Sequence, residues 1–188
     1  MIVCGIDYSL TSPALTVHVG SSWSIKNCRF YYLSKRGKYS VNTSMFYGTE
    51  YPDYVSDEHR YDNLKSWVMS NLQTYGCIDH VFIEGYAFGA VGRVFQIAEN
   101  TGCLKHQLWI ESIPHTVYPP TSIKKFATGK GNAKKDQLYE AFITETSVDI
   151  RRELGIINVN QWNPLSDIVD SYYIAKMGFE EILYASDP

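Results

Sequence analysis

The alternation of apolar and polar residues predicts strands at the start of the chain. Residues 2–7, IVCGID, are short, apolar and partly β-branched, as in a buried strand. SPALTVHV at 12–19 and CRFYYL at 28–33 alternate as antiparallel strands do. We therefore predict a three-stranded start, with Asp7 at the end of its first strand.

Helices and strands alternate in the rest of the chain. Helical spacing of apolar residues predicts a helix over 61–75, and the apolar run at 78–86 predicts a strand ending at Glu84. Further predicted elements are a helix over 93–109, a short strand within 110–120, a helix, glycine loop and helix after Pro120, and a final helix over 165–182.

This order of elements indicates an α/β domain with a mixed sheet. A length of 188 residues fits a single domain over 1–188. The segment 34–60 is rich in Tyr, Ser, Gly and Asp and lacks a clear period, so we predict a surface loop or insertion there.

Composition narrows the function classes. No apolar run reaches the roughly 18 residues of a membrane span, and the N-terminus lacks a secretory signal, so we predict a cytoplasmic protein without membrane association. Four cysteines without a CxxC pair give little support to a zinc or redox site. The formal net charge is −3, yet five lysines form a local basic block: Lys124, Lys125, Lys130, Lys134 and Lys135.

Four acidic residues stand in specific settings. Asp7 and Glu84 each end an apolar strand, where a charge is costly unless it is paired, bound to metal or facing a cleft. Asp167 and Asp170 are three residues apart on the last helix and share a face. An ion pair or loop cap is the alternative for the first two, and a helix cap for Asp167.

Convergent carboxylates suit phosphodiester hydrolysis. Mg²⁺ prefers oxygen ligands and usually takes one or two carboxylates per ion. Two ions roughly 3.5 to 4 Å apart activate a water and stabilise the leaving oxygen of an in-line displacement. The four residues together therefore predict a site for two Mg²⁺ ions, for which Mn²⁺ substitutes.

Four segments resemble motifs of the RuvC family of Holliday junction resolvases. They are GID at 5–7, VFIEGYAFG at 81–89, PTSIKKFATGKGNAKKDQ at 120–137 and SDIVDSYYIA at 166–175. The third is the most discriminating, because it is similar to a proline, lysine and then G-x-G-x-A-x-K-x-Q pattern. Two departures, Tyr8 and Ser9 after Asp7 and the long segment 34–60, suggest a divergent branch such as the phage-encoded resolvases.

The resemblance implies a ribonuclease H-like fold with a mixed five-stranded sheet flanked by helices. It also implies a homodimer that cleaves four-way junctions, with the helix after the second motif contributing to the dimer. Lys124 or Lys135 is then the cation near the scissile phosphate. We expect Asp7 to bridge two ions, Glu84 and Asp170 to complete their shells, and Asp167 to bind one ion or orient a water.

Other residues are candidates for DNA contact. Tyr86 and Phe88 follow Glu84, where an aromatic side chain in the family acts on bases at the opened junction, although aromatic residues after a strand are more often core. Arg93 is a candidate for a backbone phosphate, and the glycines 129 and 131 allow close approach of the backbone. The remaining candidates, for which a solvated helix face is the alternative, are Lys125, Lys130 and Lys134.

Three other functions compete with a junction resolvase. The first is a flap or branched-DNA endonuclease of the same fold with little four-way specificity. The second is an actin-like ATPase, because GIDYSLTS superficially fits a phosphate-binding strand end, but such proteins usually need a much longer chain. The third is a non-catalytic module that binds junctions.

Overall fold

Six strands form one mixed sheet in the computed structural model, which describes residues 1–86 and 94–186. The strand order is β4-β3-β2-β1-β5-β6. The strands are β1 (Ile2–Asp7), β2 (Ala14–Val19), β3 (Cys28–Ser34), β4 (Phe46–Glu50), β5 (His80–Glu84) and β6 (His115–Tyr118).

Helices cover both faces of this sheet. The helices are α1 (Asp57–Gln73), α2 (Val94–Ile110), α3 (Pro120–Thr128), α4 (Lys135–Thr146), α5 (Ile150–Glu153) and α6 (Leu165–Ser186), with short 3₁₀ turns at Ile25–Asn27 and Gly37–Tyr39. The helices α3, α4 and α6 pack together on one face, and α1 and α2 pack against each other on the opposite face. Within the ranges given above, no helix is both long and apolar enough to cross a membrane.

Strand direction sets the position of two acidic residues. β1, β5 and β6 run parallel, whereas β2 is antiparallel to both β1 and β3. The register of β1 against β5 ends with Ile6 opposite Ile83. Asp7 and Glu84 each follow directly and leave the sheet side by side at the carboxyl edge of these strands.

Helix α6 lies closely against the centre of the sheet. A Cβ atom on Gly5 would stand 2.2 Å from the backbone nitrogen of Ala175 and 2.4 Å from the carbonyl oxygen of Ser171. The hydroxyls of Thr16 and Ser171 form a buried hydrogen bond of 2.8 Å between β2 and α6. The absence of a side chain at Gly5 therefore fixes how close α6 comes to β1.

The prediction of a mixed α/β sheet flanked by helices is confirmed, but the predicted strand number of five is wrong. The additional strand is β4, which lies inside the segment 34–60, where we predicted a loop or insertion. It pairs in parallel with β3. Phe46 of β4 is buried and stacks on Phe30 with ring centroids 5.0 Å apart. Helix α1 also begins within this segment, where the Ser56 side chain accepts a hydrogen bond from the His59 N–H.

Candidate active site

A cleft of about 510 Å³ lies at the carboxyl edge of the central strands. It brings together all four predicted carboxylates, Asp7, Glu84, Asp167 and Asp170. The other residues that line it are Lys124, Ala133, Lys134, Lys135, Leu138, Ser166 and Val169. Side chains from both ends of the chain therefore meet in one polar cleft.

Three elements, two strands and one helix, hold the carboxylates in place. Asp7 and Glu84 extend β1 and β5, whose parallel pairing keeps them adjacent. Asp167 lies in the first turn of α6, and Asp170 follows three residues later on the same face. Because α6 packs tightly against β1 at Gly5, the start of the helix is held next to the ends of the strands.

The cleft raises the pKa of every carboxyl group in it. Burial is the largest cause for each, and the neighbouring carboxylates add to it for Asp7, Glu84 and Asp170. The pKa of Glu84 rises to about 7, with Lys124 opposing the rise, and that of Asp167 rises to about 6. The pKa values of Asp7 and Asp170 lie well above the ordinary aspartate range.

Burial and mutual repulsion therefore disfavour the ionised carboxylates, and Lys124 and Lys135 offset this only in part. Oδ2 of Asp167 is buried and has no hydrogen-bond partner among the residues that the structure describes. An all-oxygen donor set of this kind fits a hard divalent cation. Over residues 1–86 and 94–186, however, no three Asp, Glu, His or Cys side chains stand around a common position that could hold a metal ion.

Three of the five clustered lysines reach the cleft. Lys124 comes from α3, Lys134 precedes α4, and Lys135 begins α4. The Nζ atom of Lys135 donates to Oγ of Ser166 at 3.1 Å, which directs the ammonium group toward the acidic side chains. Lys125 and Lys130 are exposed and do not line the cleft.

The glycine and lysine motif has a clear structural role. Gly129 ends α3 in the left-handed conformation, with φ of 76°, so the turn predicted there is present. The Lys134 backbone N–H donates to Oε1 of Gln137 at 2.9 Å and thereby caps the start of α4. Ala133 is buried beneath the same turn. The motif thus fixes the position of Lys134 and Lys135, and close approach of Gly131 to a phosphate stays a prediction.

Of the residues proposed for base or phosphate contact after Glu84, only Tyr86 is described. Its side chain is 44% exposed and lines a groove of about 530 Å³ with Thr101, Val117 and Pro120 among its neighbours. This exposure argues against the alternative that Tyr86 is a core residue. Phe88 and Arg93 lie outside the described residues.

Two serines at the site were not predicted. Ser12, buried in the turn between β1 and β2, donates its hydroxyl to the Leu33 carbonyl at 3.5 Å and lies close enough to Asp167 to lower the pKa of that carboxyl against the effect of burial. Ser166 accepts from Lys135. Ser12 has no distinguishing sequence pattern, and although Ser166 begins the motif at 166–175, its contact with Lys135 joins residues 31 positions apart and could not be predicted from the motif.

Comparison with solved structures identifies the fold. Thermus thermophilus RuvC in complex with a Holliday junction substrate is 17% identical, with a TM-score of 0.64 over 98% of this chain and 94% of that one. The fowlpox virus resolvase, in complex with Holliday junction DNA, is 18% identical, with a TM-score of 0.55 over 97% and 99%. The yeast mitochondrial Holliday junction resolvase is 12% identical, with a TM-score of 0.58 over 98% and 80%.

The chain therefore has the ribonuclease H-like fold of the RuvC-type resolvases, as its motifs predicted. No protein-family model matches the sequence, and no curated protein matches it. At these levels of identity the likeness establishes the fold, and function has to be argued from the cleft.

Proposed function

We propose that this protein is a metal-dependent endonuclease that cleaves Holliday junctions and related branched DNA by phosphodiester hydrolysis. The observation that carries the proposal is the cleft in which four carboxylates, two buried and two half-buried, lie with three lysines. The likeness to resolvases, two of them in complexes with Holliday junctions, supports branched DNA as the substrate. It also favours this function over an actin-like ATPase.

The charge of the cleft supports metal dependence. Four carboxylates outnumber the three lysines Lys124, Lys134 and Lys135, so the fully ionised cleft is negative and repels a phosphate. Divalent cations reverse that sign. We propose that Asp7 would contribute to holding two Mg²⁺ ions, that Glu84 and Asp170 would supply further ligands, and that Asp167 would bind one ion or orient a water. Bound there, Mg²⁺ or Mn²⁺ would supply activation of water and neutralisation of the leaving oxygen.

The side chains of the cleft have further roles in this proposal. Lys135 lies beside the carboxylates with one of its three N–H donors on Ser166, which leaves two for a phosphate oxygen. Lys124 lowers the pKa of Glu84 and so favours the ionised form that binds a cation. Tyr86 stands exposed beside Glu84, where a base displaced from the junction would meet its ring.

A homodimer belongs to the same proposal. Helix α2 exposes Phe95 and Trp109, which are 80% and 72% accessible, together with Ile110. Large apolar side chains exposed in this way favour a protein interface. Two subunits related by a two-fold axis would present two clefts to a symmetric four-way junction.

Cleavage assays with matched acid variants test the proposal. We expect the wild type to cut a four-way junction in Mg²⁺ or Mn²⁺ and not in EDTA. Asp7→Asn and Glu84→Gln should reduce the cleavage rate by about 10²-fold or more and leave binding nearly unchanged, since they remove metal ligands without new bulk. Asp136→Asn and Glu140→Gln are matched controls, because both residues are exposed outside the cleft.

The substrates in this assay separate the related functions. A preference for four-way junctions over flaps and replication forks would support a resolvase, and equal cleavage of all three would support a broader branched-DNA endonuclease. Strong junction binding without cleavage in either metal would support a non-catalytic module. Cleavage by both active-site variants at the wild-type rate would show that the site assignment is wrong.

A further inference from the structure

A second, smaller pocket lies next to the carboxylate cleft. It has a volume of about 140 Å³. Ser12 lines this pocket five residues after Asp7, and Asn163 lines it four residues before Asp167, so the chain segments that carry these two aspartates also line the pocket. The residues that line it are Thr11, Ser12, Ser34, Lys35, Arg36, Gln161 and Asn163.

Two cations at this pocket have no acidic partner. Lys35 and Arg36 are exposed, and neither takes part in an ion pair with any residue that the structure describes. Glu50, whose carboxylate lies beside Gly37 in the same segment, forms an ion pair with neither cation. The positive charge of this pair is therefore available to an anion.

The turn that carries these cations is held in place. Oγ of Ser34 accepts from the Arg36 N–H at 3.2 Å and donates to the Arg36 carbonyl at 3.1 Å. The Tyr51 N–H donates to the Ser34 carbonyl at 2.9 Å, and Nζ of Lys35 lies 5.1 Å from the Tyr51 ring centroid. The two cations are thus presented from a braced turn at the end of β3.

The same brace reaches the loop that follows Asp7. The Tyr51 hydroxyl donates to the Leu10 carbonyl at 2.6 Å, and the buried Arg60 donates to that carbonyl through Nη2 at 2.5 Å and to the Tyr51 hydroxyl through Nε at 2.9 Å. Thr11 and Ser12 follow Leu10 directly. The segment 34–60 therefore couples the position of Lys35 and Arg36 to the loop between β1 and β2.

The other groups at the pocket are neutral hydrogen-bonding side chains. Thr11 and Ser12 offer hydroxyls, and Gln161 and Asn163 precede α6 at the opposite end of the chain. Hydroxyl and amide donors combined with Lys and Arg are the groups that proteins use to contact backbone phosphates. This pocket contains no carboxylate, in contrast to the cleft beside it.

We propose that this pocket binds a backbone phosphate of the DNA strand as that strand leaves the carboxylate cleft, with Lys35 and Arg36 as the residues that contact it. The inference rests on the proposed function, since it assumes that DNA occupies the cleft. It gives a role to the segment 34–60, in which the strand β4 and Tyr51 brace the turn of these cations. Lys35 and Arg36 then position the strand and take no part in bond cleavage.

Binding measurements in the Asp7→Asn background test this without cleavage. The dissociation constant of a four-way junction is measured over a range of KCl concentrations for Lys35→Ala, Arg36→Ala and the matched control Lys38→Ala. Lys38 is exposed in the same segment and lies over the Tyr39 ring, but does not line the pocket. We expect several-fold weaker binding for the first two and a salt slope smaller by about 0.9 for each phosphate that is no longer neutralised.

Substitution of single phosphates by neutral methylphosphonates locates the phosphate that the pocket binds. At one position near the cleavage site, this change should weaken binding by the Asp7→Asn parent and have little further effect on Arg36→Ala in the same background. Thermal unfolding of each variant should match that of the parent, because both side chains are exposed.

The outcomes separate the two proposals. If the parent binds and the wild type cleaves junctions, but Lys35→Ala and Arg36→Ala match Lys38→Ala in affinity and salt slope, the phosphate pocket is wrong and the proposed function stands. If no single phosphate is coupled to Arg36, the pocket is also wrong. If the parent does not bind branched DNA, both proposals fall together.

Discussion

The carboxyl group of Asp167 faces Asp7 in the cleft and raises the pKa of Asp7, although the two residues come from opposite ends of the chain. Asp7 ends the first strand, and Asp167 lies in the first turn of α6. These two buried carboxylates repel each other when both are ionised, so the folded state is more stable when one of them carries a proton. A proton bound to one of these carboxylates therefore competes with a metal ion for the same oxygen atoms.

This competition predicts how stability depends on pH without metal. The pKa of Glu84 rises to about 7 in the folded state, against about 4.3 in an unfolded chain, so the folded state binds more protons over this range. The contribution of Glu84 is fully present below pH 4 and is lost as the pH rises through 7. His18 and His80, whose pKa values are lowered by burial, have the opposite dependence. The effect of Glu84 is therefore measured as the difference in the free energy of unfolding between the wild type and Glu84→Gln, in which the contributions of the histidines cancel.

Thermal unfolding in EDTA at pH 5 and pH 8 measures that difference. From pH 5 to pH 8, we expect the free energy of unfolding of Glu84→Gln to rise relative to that of the wild type by on the order of 2 kcal/mol, because glutamine carries no charge to bury. Glu140→Gln, at an exposed position, should show no such change. Saturating Mg²⁺ at pH 8 should stabilise the wild type more than Glu84→Gln. A constant difference across pH in EDTA would contradict the raised pKa.

A second prediction concerns the contact between β1 and α6. Gly5→Ala places a Cβ atom 2.2 Å from the Ala175 backbone nitrogen, a distance that forces the helix away from the strand. We expect a loss of about 3 kcal/mol or more in the free energy of unfolding, as for overpacking against rigid backbone. Because α6 carries Asp167 and Asp170, the affinity for Mg²⁺ should fall as well.

The matched control for this prediction is Gly102→Ala. Gly102 is exposed within α2, and a Cβ atom there meets nothing within 4 Å. Alanine should stabilise this helix by about 0.5 to 1 kcal/mol. Denaturant unfolding of both variants gives the comparison, and equal effects of the two substitutions would refute the proposed role of the close approach at Gly5.

The sequence predicted those parts of the site that depend on local pattern. Asp7 and Glu84 end apolar runs, and the spacing of Asp167 and Asp170 places them on one face of a helix, so the cleft could be assembled from strand and helix ends. The strand β4 was missed because its residues, FYGTE, have little β-periodicity. It is stabilised by pairing with β3 and by Phe46 packing on Phe30, contacts that only the folded chain creates.

The same limit applies to individual polar contacts. Ser12 lowers the pKa of Asp167, and Tyr51 and Arg60 donate hydrogen bonds to the Leu10 carbonyl. Ser12, Tyr51 and Arg60 belong to no recognisable motif. The motif between Pro120 and Gln137 contributes the three lysines of the cleft, and it also contributes the groups that cap α4. The motif match separated Lys135, which lines the cleft, from Lys125, which does not, but it did not single out Lys134, which lines the cleft as well.

That distinction leads to a prediction for Lys135→Ala. The ammonium group of Lys135 is held toward the carboxylates by Ser166 and would stabilise the charge that develops on the phosphate during cleavage. Its removal should reduce the single-turnover cleavage rate by about 10²-fold, with a much smaller change in junction affinity. Lys125→Ala, in the same basic block but outside the cleft, should change the rate little. Equal reductions of rate and affinity for Lys135→Ala would show that this residue only tethers the phosphate, because a group that acts in the transition state must affect the rate more than the binding.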